Sequence, residues 1–114
     1  MEVNELRSGN WIDTKDFHID EFKGLYQYDP EWYKYVHMFE PIPLTEEWLI
    51  KFGFEKKENK WYKLIRFPTV RFLNNKLNVY VIIHSSSVVI AILDYVHQLQ
   101  NLYFALTGEE LTLK

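Results

Sequence analysis

Cations and aromatic rings interleave along residues 56–76 of this chain, a mixture that can hold a single-stranded nucleic acid. The segment contains seven Lys or Arg residues and one Glu. In such sites the cations follow the phosphates and the rings stack on the bases. The residues that would do so here are Lys60, Trp61, Tyr62, Lys63, Arg66 and Arg71. The alternative interpretation is that the rings belong to a core and the lysines are solvated, since no recognised nucleic-acid-binding motif is present.

Two other groups contain residue types that can bind a metal or catalyse a reaction, but their spacing is only weak evidence for either. Asp16, His18 and Asp20 would share one side of a strand and offer carboxylate and imidazole ligands to a divalent metal. The same alternation is typical of any half-exposed strand. His84 precedes three serines, and Asp94 lies downstream, but adjacent loop residues rarely face one another and there is no nucleophile elbow. We therefore predict no catalytic residue, no metal site, no cofactor and no enzymatic activity.

The last helix-forming segment is free of charge. Tyr95–Gly108 contains no Lys, Arg, Asp or Glu in fourteen residues, whereas surface helices usually carry charge on their outer face. One interpretation is a docking surface, with partner-binding residues His97, Gln100, Asn101 and Phe104. The alternative is that a loop within residues 13–39 folds over this face and its backbone bonds to the amides. Both interpretations predict a covered face.

These patterns favour a non-enzymatic interaction protein that binds a protein partner or forms a homo-oligomer. The alternative function is a single-stranded nucleic-acid-binding module that uses residues 56–76. The two hypotheses differ in the surface they need: an exposed apolar patch for the first, and a basic face with accessible rings for the second.

Composition limits where the protein acts. The chain has 114 residues, which suits a single domain over residues 1–114, and it has no Cys for disulfides or thiolate metal sites. The first ten residues have no apolar signal core, and the longest apolar run is far too short to span a bilayer. We expect a cytoplasmic protein that does not bind membranes. Residues 1–55 are acidic and residues 56–76 basic, so the two segments can neutralise each other in the fold.

The hydrophobic pattern predicts an α+β fold with a mainly antiparallel sheet over residues 54–93. The apolar run Val88–Leu93 predicts a central strand covered on both faces. The aromatic run Trp32–Phe39 predicts another strand. An N-terminal β segment begins at Trp11, and a small barrel-like closure is one arrangement it allows.

Two helices complete the prediction. A short bridging helix covers residues 46–52, with Thr45 as its N-cap and Gly53 as the left-handed residue that ends it. A long C-terminal helix lies between Asp94 and Gly108.

Three stretches of the sequence resemble an uncharacterised family of short proteins from gut anaerobes and their phages or prophages. The stretches are LRSGNW at 6–11, EPIPLTEEWLIKFGFEK at 40–56 and YVHQLQNLYFALTGEEL at 95–111. The resemblance implies a cytoplasmic accessory protein, of the kind that a mobile element carries, and it implies no activity. The chain departs from the family pattern at Ser8 and through residues 13–39 and 60–93, so a partner-specific surface in those regions would be its own.

Overall fold

The fold is α+β, as the hydrophobic pattern predicts. The computed structural model describes residues 5–13, 25–63, 67–83 and 86–113. The described residues form two antiparallel sheets and two α-helices, and the longer helix is the C-terminal one. The chain divides into two compact units, Met1–Pro43 with Tyr95–Leu102 and Leu44–Asp94 with Tyr103–Lys114. A single domain over residues 1–114 stays a prediction.

The elements follow one another with short connections. In chain order they are β1 Trp11–Asp13, β2 Leu25–Gln27, a 3-10 helix Pro30–Met38, α1 Glu46–Lys51, β3 Glu55–Lys57, β4 Lys60–Tyr62, β5 Thr69–Leu73, β6 Lys76–Ile83, β7 Ser86–Leu93 and α2 Val96–Thr107. β1 pairs with β2 in the first sheet, and the second sheet has the order β3-β4-β5-β6-β7. Each strand of the larger sheet therefore lies beside its neighbour in sequence.

The first unit has a small aromatic core behind β1. Leu6, Ile12, Tyr28 and Phe39 are buried together, and Trp32 packs against them. The Phe39 ring lies between two others in edge-on geometry, with centroid distances of 6.5 Å to Tyr28 and 6.2 Å to Trp32. In the part of the chain that the structure describes, β1 and β2 form an open two-stranded sheet, so the barrel-like closure is not seen.

The strand predicted over Trp32–Phe39 is wrong, because residues Pro30–Met38 form a 3-10 helix. Local signals at its start explain the difference. Asp29 accepts hydrogen bonds from Glu31 N through its side chain and from Trp32 N through its carbonyl, both at 2.9 Å. Proline at the first helical position has the backbone angle that a helix needs. These signals outweigh the β propensity of the aromatic residues that follow.

Helix α1 forms in the second unit where the sequence predicts it. Gly53 has φ +86°, and its N–H bonds to Ile50 O at 2.9 Å. Phe54 N donates to Leu49 O at 2.9 Å, which completes the Schellman ending. Thr45 has the extended backbone of an N-cap, but its side chain makes no capping hydrogen bond within the described residues. Packing of Trp48 and Leu49, which are buried, therefore stabilises this short helix more than its cap does.

Tight turns set the register of the larger sheet. Glu58 and Asn59 have φ values of 54° and 66°, and Asn74 and Asn75 have 53° and 65°. Positive φ at both central residues is the mark of the two-residue type I′ turn, whose twist matches that of the flanking strands. The resulting register aligns Trp61, Val70 and Val79 across three strands, and all three are buried in the core of this unit.

The prediction that Val88–Leu93 is a central strand is wrong. β7 lies at the end of the strand order, so it has a strand partner on one side only within the described residues. Of its eight residues only Leu93 is buried, and Ser86–Ile90 and Ile92 are exposed. A run of apolar residues shows that neither face of the strand carries charge. It does not show whether another element covers those faces.

Helix α2 ends where the sequence predicts. At its start, the side chain of its third residue, Gln98, caps the helix. Gln98 Oε1 accepts a hydrogen bond from Tyr95 N at 3.1 Å, which is the amide half of a capping box. Gly108 has φ +75° and its N–H bonds to Phe104 O at 2.8 Å. Among the residues that the structure describes, no helix has both the length and the apolar character that a membrane span requires.

Candidate functional site

The uncharged face of α2 is covered by the chain's own N-terminal segment. Gln100 is 1% exposed, and its side-chain amide makes two hydrogen bonds with main-chain groups. Its Oε1 accepts from Trp11 N at 2.8 Å, and its Nε2 donates to Gly9 O at 3.1 Å. The amide thus supplies both a donor and an acceptor to a backbone segment that has just turned at Gly9.

Asn101 extends this network one residue further along the helix. Its Oδ1 accepts from Arg7 Nη1 and from Asn10 Nδ2, both at 2.9 Å, and its Nδ2 donates to Glu5 O at 3.0 Å. Asn10 is fully buried, and its own Oδ1 accepts from Arg7 N. Among the described residues, Glu5–Trp11 therefore covers the amides of Gln100 and Asn101, whereas the Phe104 ring is exposed. Of the loop that was the alternative cover, residues 14–24 lie outside the described residues.

His97 is almost fully buried, with 3% of its surface exposed. Its ring stacks on the Tyr95 ring with centroids 5.9 Å apart, and its Nδ1 has no hydrogen-bond partner within the described residues. Burial lowers the pKa of the imidazole below its usual value, and the charge of Glu5 raises it by a smaller amount. Burial therefore favours the neutral imidazole over the charged form.

Phe104 differs from the other residues predicted to bind a partner. Its ring is 40% exposed, whereas His97 and Gln100 are buried and Asn101 is half-buried in bonds to the chain itself. The partner-binding role of this set stays a prediction, and Phe104 is the member whose ring an incoming molecule can reach.

The residues predicted to bind nucleic acid separate onto two sides of the larger sheet. Trp61 is 4% exposed and belongs to the core, and Lys63 Nζ donates to Phe52 O at 2.6 Å. Lys60, Tyr62 and Arg71 lie on the opposite face, where they line one shallow cleft of about 100 Å³ with Thr69, Tyr80 and Ser87. Arg66 lies outside the described residues, as do Asp16, His18, Asp20, His84 and Ser85.

Strand register creates this cleft. Trp61 pairs with Val70 and Thr69 pairs with Tyr80, so the antiparallel ladder brings Tyr62, Thr69 and Tyr80 across three adjacent strands on one face. Tyr80 is not among the residues that the sequence predicts for this site, because it lies 18 residues from Tyr62 along the chain. The two-asparagine turn at residues 74 and 75 was the available signal, because it fixes which residues of β5 and β6 are opposite each other.

Arg71 is oriented in the cleft by Tyr80. Its Nη2 donates to the Tyr80 hydroxyl at 3.2 Å, and its guanidinium carbon is 5.1 Å from the centre of that ring. Its Nε is buried and has no hydrogen-bond partner in the described residues. Arg71 therefore combines a fixed position with an unused donor.

The acidic residues of the chain neutralise only part of the basic segment. Lys56 lies 3.7 Å from Glu46, and Lys76 lies 2.8 Å from Asp94. Within the described ranges, Lys57, Lys60 and Arg71 form no ion pair with a carboxylate. Neutralisation is therefore partial: Lys57, Lys60 and Arg71 lie on the face of the sheet that holds the cleft, where Glu55, which pairs with Tyr62, offsets part of their charge.

The outer edge of β7 is the second exposed feature of this unit. Val88, Val89, Ile90 and Ile92 are 43–56% exposed. Ile90 has no pairing residue on β6, because the register shifts between Val79 and Tyr80 and produces a bulge. The opposite edge of the sheet is β3, which is three residues long and reads Glu-Lys-Lys.

Comparisons with protein-family models, with curated proteins and with solved structures found no match to this chain. The arrangement of its own residues is therefore the basis for assigning a function.

Gln100→Ala should lower the free energy of unfolding by about 2–4 kcal/mol, since it removes the acceptor of Trp11 N–H and opens a cavity in a buried place. Gln27→Ala is a matched control, because Gln27 Nε2 also donates to Gly9 O but from an exposed position. It should lower that free energy by less than about 1 kcal/mol. Equal losses in urea unfolding would contradict the role assigned to Gln100.

The buried His97 should make stability depend on pH. The unfolded imidazole gains a proton as the pH falls below about 6.5, whereas the folded imidazole, whose pKa is lowered, stays neutral to a lower pH. The unfolded state then binds more protons, so this stabilising contribution is complete above about pH 6.5 and is lost below it. Chemical unfolding of the wild type and of His97→Gln across this range checks it. The variant should lose less stability on acidification, and parallel profiles would contradict the prediction.

Proposed function

We propose that the protein is a non-enzymatic interaction protein that self-associates by pairing the outer edge of β7 with β7 of a second copy. The observation that carries the proposal is the exposed, uncharged edge of this strand. Such a role agrees with the cytoplasmic accessory protein that the family resemblance implies.

An exposed strand edge presents main-chain donors and acceptors to any chain that can pair with them. Proteins normally shield such edges with charged residues, proline, very short strands or bulges. β3 follows this rule with three residues and three charges, whereas β7 has eight residues and neither charge nor proline. The bulge at Ile90 is a shielding device, but it leaves Ser86–Val89 as a regular stretch.

The composition of β7 suits a second copy of itself. Because the strand has no charged residue, two copies in antiparallel alignment bring no like charges together. Antiparallel pairing of identical strands also satisfies twofold symmetry, which is the commonest symmetry of protein dimers. Eight residues extend for about 27 Å at ~3.4 Å per residue, so the pairing would cover apolar side chains of both copies along that length.

A charge in the middle of this edge should abolish the dimer. The wild type should elute at twice the monomer mass in size-exclusion chromatography with light scattering. Ile90→Lys should elute as a monomer, because pairing would bring two ammonium groups together and desolvate them. Ile50→Lys is the matched control, since Ile50 is 60% exposed on α1, away from the strand. A monomeric wild type, or equal dimerisation of both variants, would contradict the proposal.

Twofold pairing of β7 should also place one residue opposite its own copy. Paired residues of an antiparallel ladder point to the same face, so in a regular ladder a twofold axis perpendicular to the sheet passes midway between one residue and its own copy. Directly opposed Cα atoms lie about 4.5–5.5 Å apart, a distance that a disulfide bond spans. The chain has no Cys, so any disulfide must come from an introduced residue.

Single substitutions by Cys along β7 identify that position. Among single Cys substitutions at each position from Ser86 to Ile92, one should form a disulfide-linked dimer under mild oxidation, visible on a non-reducing gel. Ile50→Cys should stay monomeric. Cross-linking by every variant to the same extent would indicate random collision, and cross-linking by none would remove β7 as the interface.

A further inference from the structure

We infer that the cleft on the outer face of the larger sheet binds a nucleotide, either free or within a single strand. This inference does not depend on self-association, because it concerns Lys60, Tyr62, Arg71 and Tyr80 and not the edge of β7. It replaces the set of residues that the sequence predicts for nucleic-acid binding with a set that shares one surface.

The cleft has the charge that a phosphate requires. Lys60 and Arg71 line it, and no acidic residue does so in the described part of the chain. Lys60 lies beside Arg71 on the next strand, because the register that pairs Trp61 with Val70 also brings these two residues side by side. Neither cation forms an ion pair with a described residue. Two adjacent cations without a carboxylate attract a phosphate group.

The cleft also has surfaces on which a flat base can stack. Tyr62 is 41% exposed, so much of its phenol ring is accessible to a ligand. On the other side, the Arg71 guanidinium lies over the Tyr80 ring. Bases stack both on aromatic rings and on guanidinium planes. Tyr62 and Tyr80 stand two strands apart, with the smaller Thr69 between them.

Polar groups at the floor and rim of the cleft can orient such a ligand. The Arg71 Nε is enclosed by protein and has no hydrogen-bond partner within the described residues, so the donors that the cleft lining adds are hydroxyl groups. Thr69 and Ser87 contribute hydroxyl groups to the lining. A simple anion would use the cations alone, whereas a nucleotide would use the cations, the Tyr62 ring and these donors together.

Nuclear magnetic resonance titrations with three probes test the inference: inorganic phosphate, thymidine 5′-monophosphate and a short oligothymidine single strand. The mononucleotide should shift amide resonances of Tyr62, Thr69, Arg71 and Tyr80 and should bind more tightly than phosphate. If the oligonucleotide binds more tightly than the mononucleotide, the ligand is a single strand; if the two bind equally, the ligand is a free nucleotide. Either result supports a nucleotide site.

Variants separate stacking from charge. Tyr62→Ala should weaken binding of both nucleotide probes by about fivefold or more and leave phosphate binding unchanged, whereas Tyr62→Phe should retain binding. Lys60→Gln should weaken all three probes and reduce the salt dependence of oligonucleotide binding by about 0.7 in log–log slope. Lys51→Gln, on α1, is the charge-matched control and should change none of them.

Two results would overturn the inference. One is the absence of shifts at the cleft residues with the mononucleotide and the oligonucleotide at low salt. The other is nucleotide binding that Tyr62→Ala leaves unchanged, because the cleft would then bind anions without contacting a base. Tyr62 is exposed, so its substitution should leave the fold intact, which the same spectra show.

Discussion

Main-chain hydrogen bonding is the constraint on which the described structure depends, and Gln100 meets it where the N-terminal segment lies on α2. The turn at Gly9 and the start of β1 place backbone groups against a buried helix face, away from water. A buried N–H or C=O without a partner is strongly destabilising. The side-chain amides of Gln100 and Asn101 provide the missing donors and acceptors, which explains why this helix has amides where a surface helix has charges.

The same need to pair main-chain hydrogen-bonding groups applies at the outer edge of β7. Along this strand, the backbone groups that point away from β6 have no strand beside them in the described residues, and the side chains around them are apolar. Water can satisfy those groups, but a second strand satisfies them and also removes apolar surface from water. The amides of α2 thus meet the requirement within one chain, whereas β7 is proposed to meet it between two chains. The cleft beside Arg71 is proposed to bind its ligand through side chains instead.

Local signals were sufficient to predict α1, its ending at Gly53 and the turn at Asn74, because each depends on residues within one or two turns of chain. Long-range arrangement was not predictable in the same way. The apolar pattern of Val88–Leu93 does not indicate whether other elements cover the strand. The amides of α2 likewise do not indicate which segment of the chain lies on them. The cleft required the register of three strands, which places Tyr62 and Tyr80 on one face with Thr69 between them and Trp61 in the core.

Hydrogen exchange measured by mass spectrometry at low and high protein concentration tests the central claim most directly, since it reports protection of the backbone amides themselves. The account predicts that the peptide covering Ser86–Leu93 exchanges more slowly as concentration rises, while peptides from the charged β3 edge do not change. Exchange of the β7 peptide that is fast and independent of concentration would contradict self-association through this strand.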